Sequence, residues 1–174
     1  TRLFFKKIYK YDMKEKITDS YLINFEEIKK ELFSVSFPWY YQDFVAYDSD
    51  NKLGNYYHVH NLYEYPKGIL SDRYELFKPV LKKLKAKSLI KIKANLYPRT
   101  EKIHKHGLHI DQSFKCKTAL IYMNTCDGYT YLKKTDKKVM SVANRVLHFN
   151  SNDEHHSTTT TNADVRMTVN INYF

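Results

Sequence analysis

The sequence predicts an α+β, mainly β fold, with helices confined to the N-terminal half and a C-terminal half built almost entirely of strands. Three observations lead there. FEEIKKELFS and the run from Ser71 to Leu84 place apolar residues at helical spacing. From Ser88 onward apolar and polar residues alternate with period two. Turn signals at Cys126-Asp127-Gly128, Thr135-Asp136-Lys137 and Ser151-Asn152-Asp153 then cut that half into short, closely spaced strands, as in sandwiches and barrels.

A length of 174 residues with 43% hydrophobic content fits a single compact domain with a full core. Aromatic residues make up 16%, so rings should supply much of the buried area. Two cysteines exclude a disulfide framework, and no long apolar run calls for a membrane span. A reducing, cytoplasmic setting is expected. The formal charge of +10 would suit a polyanion if it clustered, but the lysines are scattered, often as pairs beside apolar runs. A solvated basic surface is the simpler reading; nucleic acid stays open as a substrate.

In chain order, RLFFKKIYKYDM suits an edge strand. Asn24 is placed to cap a helix whose stripe is Phe25, Ile28, Leu32 and Phe33, with Glu26 and Glu27 at the positive end of its dipole. Phe37-Pro38-Trp39-Tyr40-Tyr41 reads as a packed corner. YYHVHNLYEY reads as a strand with His58 and His60 on one face, as packing or substrate-side residues. Ser71-Asp72 opens a second helix with Tyr74, Phe77, Val80, Leu81 and Leu84 inward. Pro79 within it must lie near a helix start or cost about 3 kcal/mol. SLIKIKANLY, TALIYMN, GYTYLKK, KVMSVANRVLHFN and VRMTVNINYF follow as strand candidates. The threonines at 158–161 suit a strand edge.

The chemistry gathers around YPRTEKIHKHGLHID, residues 97–111. In an extended chain His109 and Asp111 point to the same side and could share one ion. Two histidines and a carboxylate on a β scaffold form the facial triad of non-haem iron(II) oxygenases. The second histidine could be His148, His155 or His156. His155 is favoured because Arg166 follows it within an apolar strand, where a guanidinium is costly unless it has a job. The distal carboxylate of 2-oxoglutarate would supply that job, since it matches a planar, two-pronged donor. Zinc could also occupy such a triad, but a zinc hydrolase has no need of the arginine.

NLYPRTEKIHKHGLHID, TALIYMNTCDGYT, SVANRVLHF and HHSTTTTNADVRMTVNINYF together resemble the small 2-oxoglutarate/iron(II) oxygenases of the prolyl 4-hydroxylase-like group, and especially their short bacteriophage-encoded versions. The resemblance implies a double-stranded β-helix, a jelly-roll of cupin type, with N-terminal helices packed on its major sheet. It implies one oxygenase domain over 1–174, with a catalytic β core at about 88–174 supported by 1–87. His109, Asp111 and His155 become the iron ligands, and Arg166 the clamp on 2-oxoglutarate. Tyr122 donates to the same carboxylate, Thr118 faces that pocket, and Tyr97 lies near the iron-chelating end. Gly128-Tyr129-Thr130 matches a Gly-x-Thr strand start. His104 and His106 are expected in a loop near the entrance.

The cofactors implied are Fe(II), 2-oxoglutarate and O2, and the implied reaction is hydroxylation with release of succinate and CO2. A prolyl peptide is the expected substrate, a small molecule or nucleic acid the alternative, and the host cytoplasm the setting if a phage encodes the chain. The last strand lacks the second arginine that alkylated-base demethylases carry close behind the first. A non-catalytic β-helix binding module would be indicated by loss of a ligand or of the arginine.

Overall fold

The structure is a computed structural model that describes residues 14–47 and 55–174. The opening run RLFFKKIYKYDM, expected to be an edge strand, lies outside those residues. Eleven strands and two α-helices follow in the described part. They are β1 (Lys16–Thr18), α1 (Phe25–Leu32), β2 (Tyr40–Gln42), β3 (Tyr57–Glu64), β4 (Gly68–Ile69), α2 (Lys78–Leu84), β5 (Leu89–Pro98), β6 (Lys117–Tyr122), β7 (Tyr129–Leu132), β8 (Lys137–Met140), β9 (Arg145–Asn150), β10 (His155–Ser157) and β11 (Val165–Tyr173).

Two antiparallel sheets form. The major sheet runs β1-β9-β6-β11-β5-β3-β2, with β4 paired to β3; the minor sheet runs β10-β7-β8. Residues 105–109 extend the minor sheet along the free edge of β10, through bridges Lys105 to Thr158 and His109 to His155. This is the mainly β, jelly-roll architecture of a double-stranded β-helix. On β11 the alternation sends Met167, Val169 and Ile171 into the core shared with the helices, where Ile28, Leu32, Phe77 and Val80 meet them. Arg166, Thr168, Asn170 and Asn172 therefore point to the opposite face, towards the minor sheet. There Leu120, Tyr122, Leu132, Val139, Leu147 and Phe149 form a second, smaller core.

Several expectations are refined. Asn24 does not cap α1 with its side chain; its amide donates to Leu76 O at 3.2 Å and ties α1 to the segment before α2. Phe33 falls beyond the last turn and is exposed, so the buried stripe is Phe25, Ile28 and Leu32. The second helical run is split into a 3₁₀ segment (Asp72–Phe77) and α2, and Pro79 falls in the first turn of α2, where no amide donor is needed. Ser71 does cap, accepting from Arg73 N at 3.2 Å. KVMSVANRVLHFN is two strands, broken where Asn144 adopts a left-handed φ of 61° and clips its side chain to Leu22. Thr158 and Thr160 continue past β10 as isolated bridges, to Lys105 and Arg99, and Thr158, Thr159 and Thr160 are fully buried with their hydroxyls bonded to neighbouring chain segments.

Candidate active site

His109 and His155 are directly opposed across the minor-sheet bridge. Each donates its amide to the other's carbonyl at 2.9 Å, and their rings lie 4.5 Å apart. After His109 the chain leaves strand geometry: the Asp111 amide donates to Ser151 O at 2.8 Å. The His-x-Asp pair is thus a bridge followed by a bend, yet its two side chains still converge. One ligand atom from each of His109, Asp111 and His155 lies within 4.8 Å of the other two. His155 Nε2 stands 3.6 Å from Asp111 Oδ1.

The surroundings aim these atoms. His109 Nδ1 donates to Gly107 O and His155 Nδ1 donates to Asp153 O, both at 3.0 Å. Each proton is held on Nδ1, which leaves the Nε2 lone pair free. Asp111 Oδ2 accepts from Thr118 Oγ1 at 3.1 Å, Asn170 Nδ2 at 3.0 Å and Asn172 Nδ2 at 3.1 Å. Its other oxygen faces His155. Burial pushes the Asp111 carboxyl up, but His155, Asn170, His109 and Asn172 outweigh it and hold the group below its usual value. Burial takes His109 down to about 4, with the charge of His155 adding. At neutral pH the set is one carboxylate and a neutral His109 with its nitrogen free. Two imidazoles and a carboxylate with fixed second partners fit a first-row divalent metal such as iron(II).

At the other end of the same cavity lies Arg166, 1% exposed. Its Nε donates to Ser141 Oγ at 2.8 Å, Nη2 to Thr130 Oγ1 at 3.0 Å and Nη1 to Thr158 O at 3.3 Å. The guanidinium carbon sits 5.4 Å from the Tyr97 ring centre and 5.6 Å from that of Tyr122. Among the described residues no carboxylate pairs with it. A buried cation braced only by neutral groups, two hydroxyls, a backbone carbonyl and two rings, is strongly biased towards an incoming anion. The amide carbonyl oxygens of Asn95 and Asn170, both residues lining this cavity, are buried without a partner. The unpaired cation suits an anionic ligand such as 2-oxoglutarate, whereas the two carbonyl oxygens, which can only accept, call for a donor from water or substrate.

Among solved structures, the chain is similar to a prolyl hydroxylase from Trichoplax adhaerens in complex with a hypoxia inducible factor peptide fragment. The two are 14% identical with a TM-score of 0.62, over 92% of this chain and 83% of that one. It is also similar to the viral collagen prolyl hydroxylase of Paramecium Bursaria Chlorella virus-1 in its 2OG complex. That likeness is 10% identical, TM-score 0.61, over 91% and 94% of the two chains. A 2OG-Fe(II) oxygenase family oxidoreductase from Burkholderia pseudomallei matches at 11% identity, TM-score 0.64, over 91% and 84%. The chain has the prolyl-hydroxylase fold. No protein-family model matches the sequence, and no curated protein matches it.

Within this prolyl-hydroxylase fold the other singled-out residues fall as follows. Tyr122 is fully buried, with its ring centre 5.6 Å from the Arg166 guanidinium carbon, and its hydroxyl donates to Val139 O at 3.4 Å. Tyr97 is the cross-strand partner of Arg166 and is stacked between Tyr57 and His106. Thr118 faces the cavity side but stands with Asp111 and Asn172, away from the arginine's partners. His156 turns away from the triad, onto the Tyr131 ring at 5.1 Å. His148 packs on Tyr21, on the far face of β9. His58 and His60 lie among Tyr41, Tyr56, Phe37 and Tyr40, and are packing residues. His106 lies in the stretch between β5 and β6, outside any named strand, and its ring is buried against Ser157 and Tyr97.

Sequence reasoning missed Asn170, Asn172, Ser141, Thr158 and Lys93. A signal for some of them was present: in VRMTVNINY every second residue is polar, in register with Arg166. That alternation marks a polar inner face on a central strand. Ser141 and Thr158 carry no such mark.

Proposed function

We propose that this protein is an iron(II)- and 2-oxoglutarate-dependent dioxygenase that hydroxylates a prolyl peptide, with release of succinate and CO2. The reading rests on Arg166, a buried cation without a carboxylate partner among the described residues, which shares one cavity with a three-ligand metal set. His109, Asp111 and His155 would hold the iron, Arg166 and Tyr122 the distal carboxylate of 2-oxoglutarate, and Tyr97 would border the cosubstrate between them. Bound iron(II) supplies the activation of O2 coupled to decarboxylation of the cosubstrate.

The chain's own groups do the rest. Asn170, Asn172 and Thr118 keep Asp111 ionised and turned. Gly107 O and Asp153 O fix both imidazole tautomers. Tyr122, Tyr97 and Leu120 wall off water, so the anion binds Arg166 in a dry setting where the charge pair is strong. The prolyl acceptor is suggested by neighbours named as prolyl hydroxylases, one of them in complex with a peptide fragment. We further read 1–174 as one such domain with its core at about 88–174, in the cytoplasm and akin to phage-borne versions. No helix among the described residues is long and apolar enough to cross a membrane.

The test is anaerobic addition of iron(II) and 2-oxoglutarate. A weak visible charge-transfer band is expected from the intact protein. It should vanish in Asp111→Ala and need far more 2-oxoglutarate in Arg166→Met. A band that is absent from the intact protein, or persists in Asp111→Ala, defeats the reading.

A further inference from the structure

Lys93 is a charge that the cosubstrate machinery does not use. It lies on β5 among the residues lining the cavity, with the Asn170-to-Asp111 hydrogen bond beside it, because Asn170 is its cross-strand partner on β11. Lys91, two residues earlier on the same side of the strand, is paired with Glu64 at 3.3 Å. Lys93 has no such partner among the described residues; its ammonium rests 5.7 Å from the centre of the Tyr57 ring. An ammonium over a ring face keeps its hydrogen-bonding capacity.

The simplest alternative is a rim lysine, half-buried and solvated. Its position argues otherwise. Among the described residues, the charged groups lining the cavity are Lys93, Asp111 and Arg166. Iron(II) and 2-oxoglutarate carry equal and opposite charge, and Asp111 offsets Arg166. One positive charge is left over, and Lys93 is the group that carries it. A surplus of one charge on a half-buried lysine favours a ligand group of charge −1. A phosphate monoester, at about −1.5 to −2, overshoots it. A carboxylate matches it.

Resting on the dioxygenase reading, we propose that Lys93 selects a substrate with a carboxylate next to the residue that is oxidised. The carboxylate belongs either to an acidic side chain flanking the proline or to the proline's own free C-terminus. An ammonium–carboxylate bond of this kind, partly shielded from water, is worth about tenfold in affinity.

The test uses binding to the anaerobic iron(II)–2-oxoglutarate protein, read as perturbation of its visible band. Two probe pairs differ only in charge: acetyl-Glu-Pro-Glu amide against acetyl-Gln-Pro-Gln amide, and acetyl-proline against acetyl-prolinamide. In at least one pair the anionic member should bind about tenfold tighter, and the pair that shows it identifies the carboxylate's source. The preference should collapse in Lys93→Gln and should invert in Lys93→Glu when acetyl-Lys-Pro-Lys amide is offered. Equal binding within both pairs, no binding of either anionic probe, or a preference that survives Lys93→Gln overturns the proposal. So does tighter binding of inorganic phosphate than of either carboxylate. Weaker 2-oxoglutarate binding in Lys93→Gln with the probe preference intact would assign the lysine to the cosubstrate instead. A normal band without charge preference sinks this proposal alone; absence of the band sinks the dioxygenase reading with it.

Discussion

Gly128 lies directly beneath the side chain of Arg166. A Cβ at that position would stand 2.4 Å from Arg166 Cδ and 2.6 Å from Thr159 O, with the guanidinium stem on one side and fixed backbone on the other. Neither can yield without moving the cation. Gly128→Ala should therefore cost about 1–3 kcal/mol of stability. It should also weaken 2-oxoglutarate binding by about tenfold or more, because a two-pronged contact tolerates little displacement. Urea denaturation and titration of the visible band read the two effects. Wild-type affinity in Gly128→Ala would show that the arginine position is not what the glycine protects.

Thr118 and Asn170 both donate to the same Asp111 oxygen, which makes them supports of the metal end. Thr118→Val and Asn170→Leu should each lower metal affinity by about 10–100-fold while leaving 2-oxoglutarate affinity at saturating metal close to that of the wild type. Competition with a chelator measures the first quantity and the visible band the second. The reverse result in Thr118→Val, normal metal affinity with weak 2-oxoglutarate binding, would return Thr118 to the cosubstrate pocket that the family resemblance implies for it.

Two histidines away from the candidate metal ligands, His106 buried and His148 half-buried, set an acid limit on the fold. Burial takes His148 down to about 4, with Lys16 and Lys117 adding. Burial takes His106 to about 3, with Arg166 adding. In the unfolded chain both titrate near 6.5. As pH falls from about 6.5 towards 4, the unfolded state takes up protons that the folded state refuses, so stability is full above that window and is lost through it. With chelator present, the urea midpoint should hold between pH 7 and 8 and drop steadily from 6.5 to 4.5. His148→Asn should reduce the slope. A midpoint constant from pH 7 to 4.5 would contradict the burial of these rings.

How much of this was legible in the sequence depends on how local the signal is. The helical stripe Phe25, Ile28, Leu32 is visible because three residues one turn apart need no information from elsewhere. The His109–Asp111 pair is equally local. The doubt among His148, His155 and His156 is not, because adjacent or alternate strand residues have equal claims until the partner strand is known. Pairing of His155 with His109 removes that doubt. Pro79 shows the opposite case: the apolar stripe continued through it, but the missing amide donor required the helix to begin there.

By itself the sequence determined the mainly β class, the alternation that gives β11 one polar face, and the residue types able to hold a metal and an anion. These follow from backbone periodicity and side-chain chemistry, both properties of short stretches. Only the tertiary structure decided that Asp111 is gripped by Thr118, Asn170 and Asn172, that Ser141 and Thr130 brace Arg166, and that Lys93 lines the same cavity with no ion-pair partner among the described residues. Apart from Asp111 and Thr118, 7 positions apart, those relations join residues 25 to 61 positions apart or set a charge on an inner face. They arise from strand register, which depends on how all the strands pack together.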